Sequence, residues 1–257
     1  DAKISQSSRA GQLTGLPAFD FGIGLTIRPA LVSGIEKKAI DLETEATVEP
    51  SLDVFQRLGP NALASLTVNT DFAETEVDTR RTNLTRFPVF FPEKRTFFLE
   101  GADYFRTPIR AVFTRTVADP SVGTKLTGKR GNNTFGVFVA QDEVTNLIFP
   151  GATGSDSESL MLENTALVGR YARSFGEAST VGGLITSRAG DDYHNTVGGF
   201  DLRWRITDQH SVQAQVLRSD TRYPDDVASE FEQTQGSFDG HALDAGYDYN
   251  SRDSFVY

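Results

Sequence analysis

The chain has no cysteine, one methionine and one tryptophan among 257 residues. Without cysteine there are no disulfides, no thiolate catalysis and no cysteine-ligated zinc. Hydrophobic residues reach only 38%, and no apolar run approaches the roughly 20 residues that a membrane-spanning helix needs. A helical membrane protein is excluded. Positive charge is also short, with 25 Lys and Arg against 35 Asp and Glu and a net charge of −10. A phosphate-binding surface requires a cationic excess, so nucleic acid is not an expected partner. Enzyme signatures are missing too: there is no Gly-x-Ser-x-Gly elbow, no His-Glu-x-x-His and no phosphate-cradling loop. His194, His210 and His241 are read as solvated or hydrogen-bonded histidines at loop or strand-end positions, although a triad is assembled in space and leaves no local trace.

What the chain does have is glycine, at 23 residues, and phenylalanine, at 19. Disordered chains are poor in aromatics, so this one is expected to fold. Its dominant pattern has a period of two. Ile23, Leu25 and Ile27 alternate with Gly22, Gly24 and Thr26, and Ala46 and Val48 with Glu45 and Glu49. Phe200, Leu202, Trp204 and Ile206 alternate with Asp201, Arg203 and Arg205; Leu243, Ala245, Tyr247 and Tyr249 alternate with Asp244, Gly246 and Asp248. Strict alternation puts one set on each face of a pleated strand. Hairpin turns are expected at Gly59-Pro60-Asn61, Gly131-Asn132-Asn133, Phe175-Gly176-Glu177 and residues 207–210.

About a dozen strands of ~8–10 residues follow, longer than soluble sheets usually carry. The fold class is all-β and antiparallel. One reading is a membrane-type barrel, whose wet lumen accepts the charged and glycine-rich face while the apolar face meets lipid. The other is a soluble antiparallel sandwich, which alternates as well. On the barrel reading Phe200, Leu202, Trp204 and Ile206 face lipid, and Tyr171, Trp204, Tyr247 and Tyr249 form an interfacial girdle. The carboxylates Asp41, Glu43, Glu45 and Glu49 on one strand face need water or facing arginines, which a lumen supplies.

Residues 71–105 break the pattern. Pro88 and Pro92 forbid a central strand. Asp71, Glu74, Glu76 and Asp78 mix with Arg80, Arg81 and Arg86, followed by Glu93, Lys94 and Arg95 and by Phe87, Phe90, Phe91, Phe97 and Phe98. So much aromatic area must pack on something. We expect the segment to fold inward as a plug whose charged residues pair among themselves or with the lumen wall. A loop docked at the mouth is the rival arrangement.

Thr67-Val68-Asn69-Thr70-Asp71-Phe72, Asn83-Leu84-Thr85-Arg86-Phe87, Phe91-Pro92-Glu93-Lys94-Arg95 and Phe97-Phe98-Leu99-Glu100-Gly101-Ala102 resemble a bacterial family of unknown function. Its members usually carry a family-nine-like carbohydrate-binding domain followed by a β-rich region thought to form an outer-membrane barrel. The resemblance implies that residues 1–257 are one β-barrel region, a fragment of a longer chain and an incomplete barrel, located in the bacterial outer membrane.

Three functions are then in view: a barrel that admits or handles a solute such as a saccharide, an envelope anchor or interaction protein that transports nothing, and a cell-surface hydrolase. The expected partners are the lipid bilayer and a saccharide or envelope proteins. No catalytic residue and no cofactor are assigned. Asp191, Asp192, Asp225 and Asp226 fall in turn-like loops and are weak candidates for Ca²⁺; solvated loop charge is the alternative.

Overall fold

The computed structural model describes residues 22–37, 44–69, 93–150, 155–250 and 255–256. Strand is the dominant state, as the alternation requires. The strands are β1 Leu25–Lys37, β2 Thr44–Arg57, β3 Ala62–Val68, β4 Pro120–Arg130, β5 Asn133–Asp142, β6 Thr145–Pro150, β7 Ser155–Leu160, β8 Asn164–Phe175, β9 Ser179–Gly190, β10 Tyr193–Arg205, β11 His210–Arg222, β12 Ser237–Asn250 and β13 Phe255–Val256. Among the described residues helix is limited to two short pieces, α1 Thr96–Leu99 and α2 Asp225–Glu230, and short 3-10 turns. One antiparallel sheet holds eleven strands in the order β1-β2-β3-β4-β5-β8-β9-β10-β11-β12-β13, and β6 and β7 form a separate hairpin. The order is nearly that of the sequence, so the sheet is a meander with β1 and β13 at its two ends. The described residues show no pairing between those ends, and the all-β antiparallel sheet therefore stands without a closed barrel.

The expected hairpins lie where the turn residues sit. Gly59, Gly131 and Gly176 have φ of 73°, 58° and 56°, a left-handed conformation that glycine adopts without steric penalty. The connections at 58–61, 131–132, 176–178 and 206–209 are all tight and all at one end of the sheet, the turn end. The long connections 69–119, 143–163 and 223–236 all fall at the opposite, loop end, where the β9–β10 turn at 191–192 is a short one. One expectation needs correction. Gly22 and Ile23 form a turn with Gly22 and Gly24 at φ 59° and 65°, so β1 begins at Leu25.

Register makes the two faces explicit. Phe200 is opposite Gly183 and Val216, while Asp201 is opposite Gly182 and Gln215. Following such pairs across the sheet puts Ile27, Leu66, Val137, Ile185, Val216 and Leu243 on the face of Phe200, and Lys125, Phe138, Arg170 and Leu217 on the face of Asp201. The apolar face is bare: Phe200 is 72% exposed, Leu243 76% and Ile27 57%. The other face is covered. Its core gathers Phe97, Phe98, Phe105 and Val117 against Phe138, Ala140, Ala166, Val168 and Leu184. A second cluster at the loop end packs Leu147 and Phe149 against Tyr193 and Val227, with Phe149 stacked on Phe231 at 4.5 Å.

Candidate functional site: the covered polar face

Residues 93–119 run across the polar face and form a cap. The cap starts at a carboxylate that organises its own neighbourhood. Glu93 Oε1 accepts from the Lys94 and Arg95 amides and from Arg95 Nε, each at 3.0 Å. Its Oε2 accepts from Arg95 Nη2 at 3.0 Å and from Thr114 Oγ1 at 2.7 Å. Arg95 is only 2% exposed; Nη2 also donates to the Thr114 carbonyl at 3.1 Å, and the guanidinium lies 4.2 Å from the Phe98 ring centre. Burial pushes the Glu93 pKa up, but the hydrogen bonds and charge of Arg95, with the Thr114 hydroxyl, outweigh it and hold the carboxyl below the ordinary glutamate value.

The wall receives the cap with small and polar residues. The Lys125 ammonium donates to the carbonyls of Phe97 and Glu100, the latter at 2.5 Å, so β4 holds the C-terminal end of α1. Gly123 and Gly136 leave sockets for aromatic rings. A Cβ added at Gly136 would lie 2.8 Å from Phe105 Cζ, and one at Gly123 would lie 3.1 Å from Phe97 Cζ. Phe98 and Phe105 then meet Phe138 edge-on at 5.8 and 5.5 Å. Farther along, the Ile109 amide donates to buried Gln215 Oε1 at 2.6 Å, and the Asp142 carboxylate accepts from the Ala118 and Asp119 amides at 3.1 and 2.7 Å. The cap thus touches β3, β4, β5, β8, β9 and β11.

Wall residues also pair with each other. Arg170 on β8 forms a two-pronged ion pair with Asp201 on β10, at 2.5 and 2.8 Å, with both side chains under a tenth exposed. The guanidinium crosses β9 because Gly182 has no side chain; a Cβ there would sit 3.0 Å from Arg170 Nη2. Arg188 donates to the Asn146 carbonyl of the β6–β7 hairpin at 3.0 Å and lies 3.8 Å from Asp142.

The structure places the expected site residues unevenly. Asp71, Glu74, Glu76, Asp78, Arg80, Arg81 and Arg86 lie outside the described residues, as do Asp41 and Glu43 of the carboxylate row. Glu93 and Arg95 are brought together, and Lys94 sits beside them. Phe200, Leu202 and Trp204 share the bare face, Leu202 half-buried, with Ile206 just past the end of β10 and half exposed. Asp191 and Asp192 occupy the tight β9–β10 turn, and Asp225 and Asp226 the first turn of α2; all four are exposed. Among the described residues no three Asp, Glu or His side chains converge as a cation would require. His194 lies 2.6 Å from Asp220 at the loop end and His210 lies 2.6 Å from Tyr247 at the turn end; His241 falls inside β12, which corrects its assignment to a loop or strand end.

Lys125, Asp142, Arg170, Asp201 and Gln215 were missed as site residues. Alternation marks their face, but only pairing across non-neighbouring strands shows what they hold. The same holds for the cap beyond Phe105, where Thr107, Ile109, Thr114 and Val117 continue the packing. No curated protein and no solved structure matches the chain. Residues 25–146, which run from β1 through the cap into β6, are similar to a domain of unknown function (DUF5916).

Proposed function

We propose that this chain forms the wall of an antiparallel β-barrel in the bacterial outer membrane, and that the cap lies in its lumen and controls the passage of a solute. One observation carries the reading: the face the chain leaves bare is apolar, while the face it covers buries charged and polar side chains beside its aromatic cluster. A soluble sandwich instead turns its apolar strand face inward and leaves polar side chains on the outside. Here Lys125, Asp142 and Gln215 hold the cap and Arg170 and Asp201 are buried on the same face, while Phe200, Trp204, Val216 and Leu243 are exposed on the other. Lipid is the medium in which that arrangement is stable.

Two further features agree. The strands β8 to β12 have 12 to 14 residues, enough to cross a bilayer at a tilt, which takes about 9–11. Tight turns at one end and long excursions at the other match the periplasmic and extracellular ends of outer-membrane barrels. Tyr171, Trp204, Tyr247 and Tyr249 all sit toward the turn end, where a girdle would lie. In a closed barrel the edges of β1 and β13 would be paired, since open edges are not tolerated in hydrocarbon.

Vesicle flotation tests the membrane, and planar-bilayer conductance tests the passage. The full-length protein should float with liposomes and resist carbonate extraction. Protein that stays at the bottom of the gradient would sink the barrel reading. Stable insertion with no conductance, even after removal of the cap, would favour an envelope anchor.

A further inference from the structure

Of the cavities that flank the cap on the covered face, two have a lining charge that runs against that of the chain. The larger, about 690 Å³, lies between the cap and the β4–β5 wall. Among the described residues its lining carries four cationic side chains, Arg106, Arg110, Arg115 and Lys125, and one carboxylate, Glu93. That carboxylate is engaged by Arg95 and Thr114, the Lys125 ammonium by the carbonyls of Phe97 and Glu100, and exposed Arg106 by Asp103 at 3.0 Å. The smaller, about 390 Å³, opens toward the turn end with Arg28, Arg57 and Lys129 against Glu100. Cations thus lead carboxylates seven to two across both linings, in a protein where acids outnumber bases 35 to 25. The larger cavity has an apolar side as well, made by Phe98, Phe105 and Phe138.

We infer that the larger cavity is a binding site for a small organic anion, a carboxylate or phosphate carried on an apolar body. The inference rests on reading the covered face as a lumen and names the class of solute that lumen takes. Arginine is the side chain suited to this work, because its planar fork engages carboxylate and phosphate oxygens two at a time. The volume is within the range of small-molecule sites, and the mixture of ring faces with a few charged groups is their usual lining. A cleft lined by one sign of charge within a low-dielectric wall also concentrates counter-ions, so the smaller cavity would hold the same anion along its route.

The test is calorimetric titration of the detergent-folded protein with three probes: benzoate, its neutral counterpart benzyl alcohol, and inorganic phosphate. Benzoate should bind saturably, at least tenfold more tightly than either of the others, and its affinity should fall as salt rises. The double variant Arg106→Gln/Arg110→Gln alters two exposed side chains and should fold; it should weaken benzoate at least tenfold, and Arg110→Lys alone should weaken it less. Equal binding of benzoate and benzyl alcohol, absence of saturable benzoate binding, or a double variant that binds like the parent would each overturn the site. Vesicle flotation of the same preparations reports on the membrane reading separately. Benzoate bound by protein that does not float would uphold the anion site and discard the barrel.

Discussion

Gly136 and Glu93 show two ways in which a single residue fixes the cap. At Gly136 the missing side chain is the socket for Phe105. Gly136→Val should therefore lower stability by about 1–3 kcal/mol through overpacking, read as a shift in the urea midpoint. In the Phe105→Ala background the same change should cost much less, and equal costs in both backgrounds would disprove the socket. At Glu93 the argument is electrostatic. Its carboxyl titrates below the ordinary glutamate range when folded, so its contribution is present above the unfolded pKa and lost as pH falls through the folded one. Glu93→Ala removes the carboxylate that Arg95 and Thr114 hold, and breaking a buried ion pair costs about 3–5 kcal/mol. Urea melts from pH 7 downward should show the parent losing stability on acidification, with the variant already low and flatter across that window.

Strand β10 carries the argument at the scale of the element. Its alternation places Leu202 on the bare face and Arg203 on the other. An arginine on a lipid face costs about 2–4 kcal/mol at the bilayer midplane, falling to about 0–1 near the interfaces, and Leu202 lies between mid-strand Phe200 and the girdle residue Trp204. Leu202→Arg should impair folding into liposomes far more than Arg203→Leu, measured by protease protection; equal tolerance would point to water on both faces. Such strands were legible because a period of two depends only on adjacent residues, and the turns at Gly59, Gly131 and Gly176 were legible because their backbone demands glycine. The β6–β7 hairpin was not, since Leu147 and Phe149 find their partners on β10 and around α2. Helix α2 was hidden in what reads as an acidic loop. Nor could the sequence reveal that Arg170 crosses a whole strand to reach Asp201, because the glycine that permits it sits on the strand between them.

At the scale of the whole molecule the cap stands between two solvent compartments on the proposed reading. Replacing residues 93–119 with a Gly/Ser bridge in the full-length protein should raise planar-bilayer conductance and sensitivity to large antibiotics, while heat-modifiable gel migration stays unchanged. Unaltered permeability in a correctly inserted protein would show that the cap braces the wall and does not gate it.

The meander also has a kinetic consequence. Nearly every strand pairs with its neighbour in sequence, so the contacts that build the wall are local and can zip up hairpin by hairpin, the situation in which folding is fast. The cap leaves the chain between β3 and β4, yet Ile109 hydrogen-bonds to Gln215, 106 positions away. That contact has nothing to close on until β11 is in place. In pulse-labelled hydrogen exchange, the amides of β4 and β5 should gain protection before that of Ile109, and Gln215→Ala should leave the early phase untouched while speeding exchange at Ile109. The protein would then assemble its wall first and its own obstruction last.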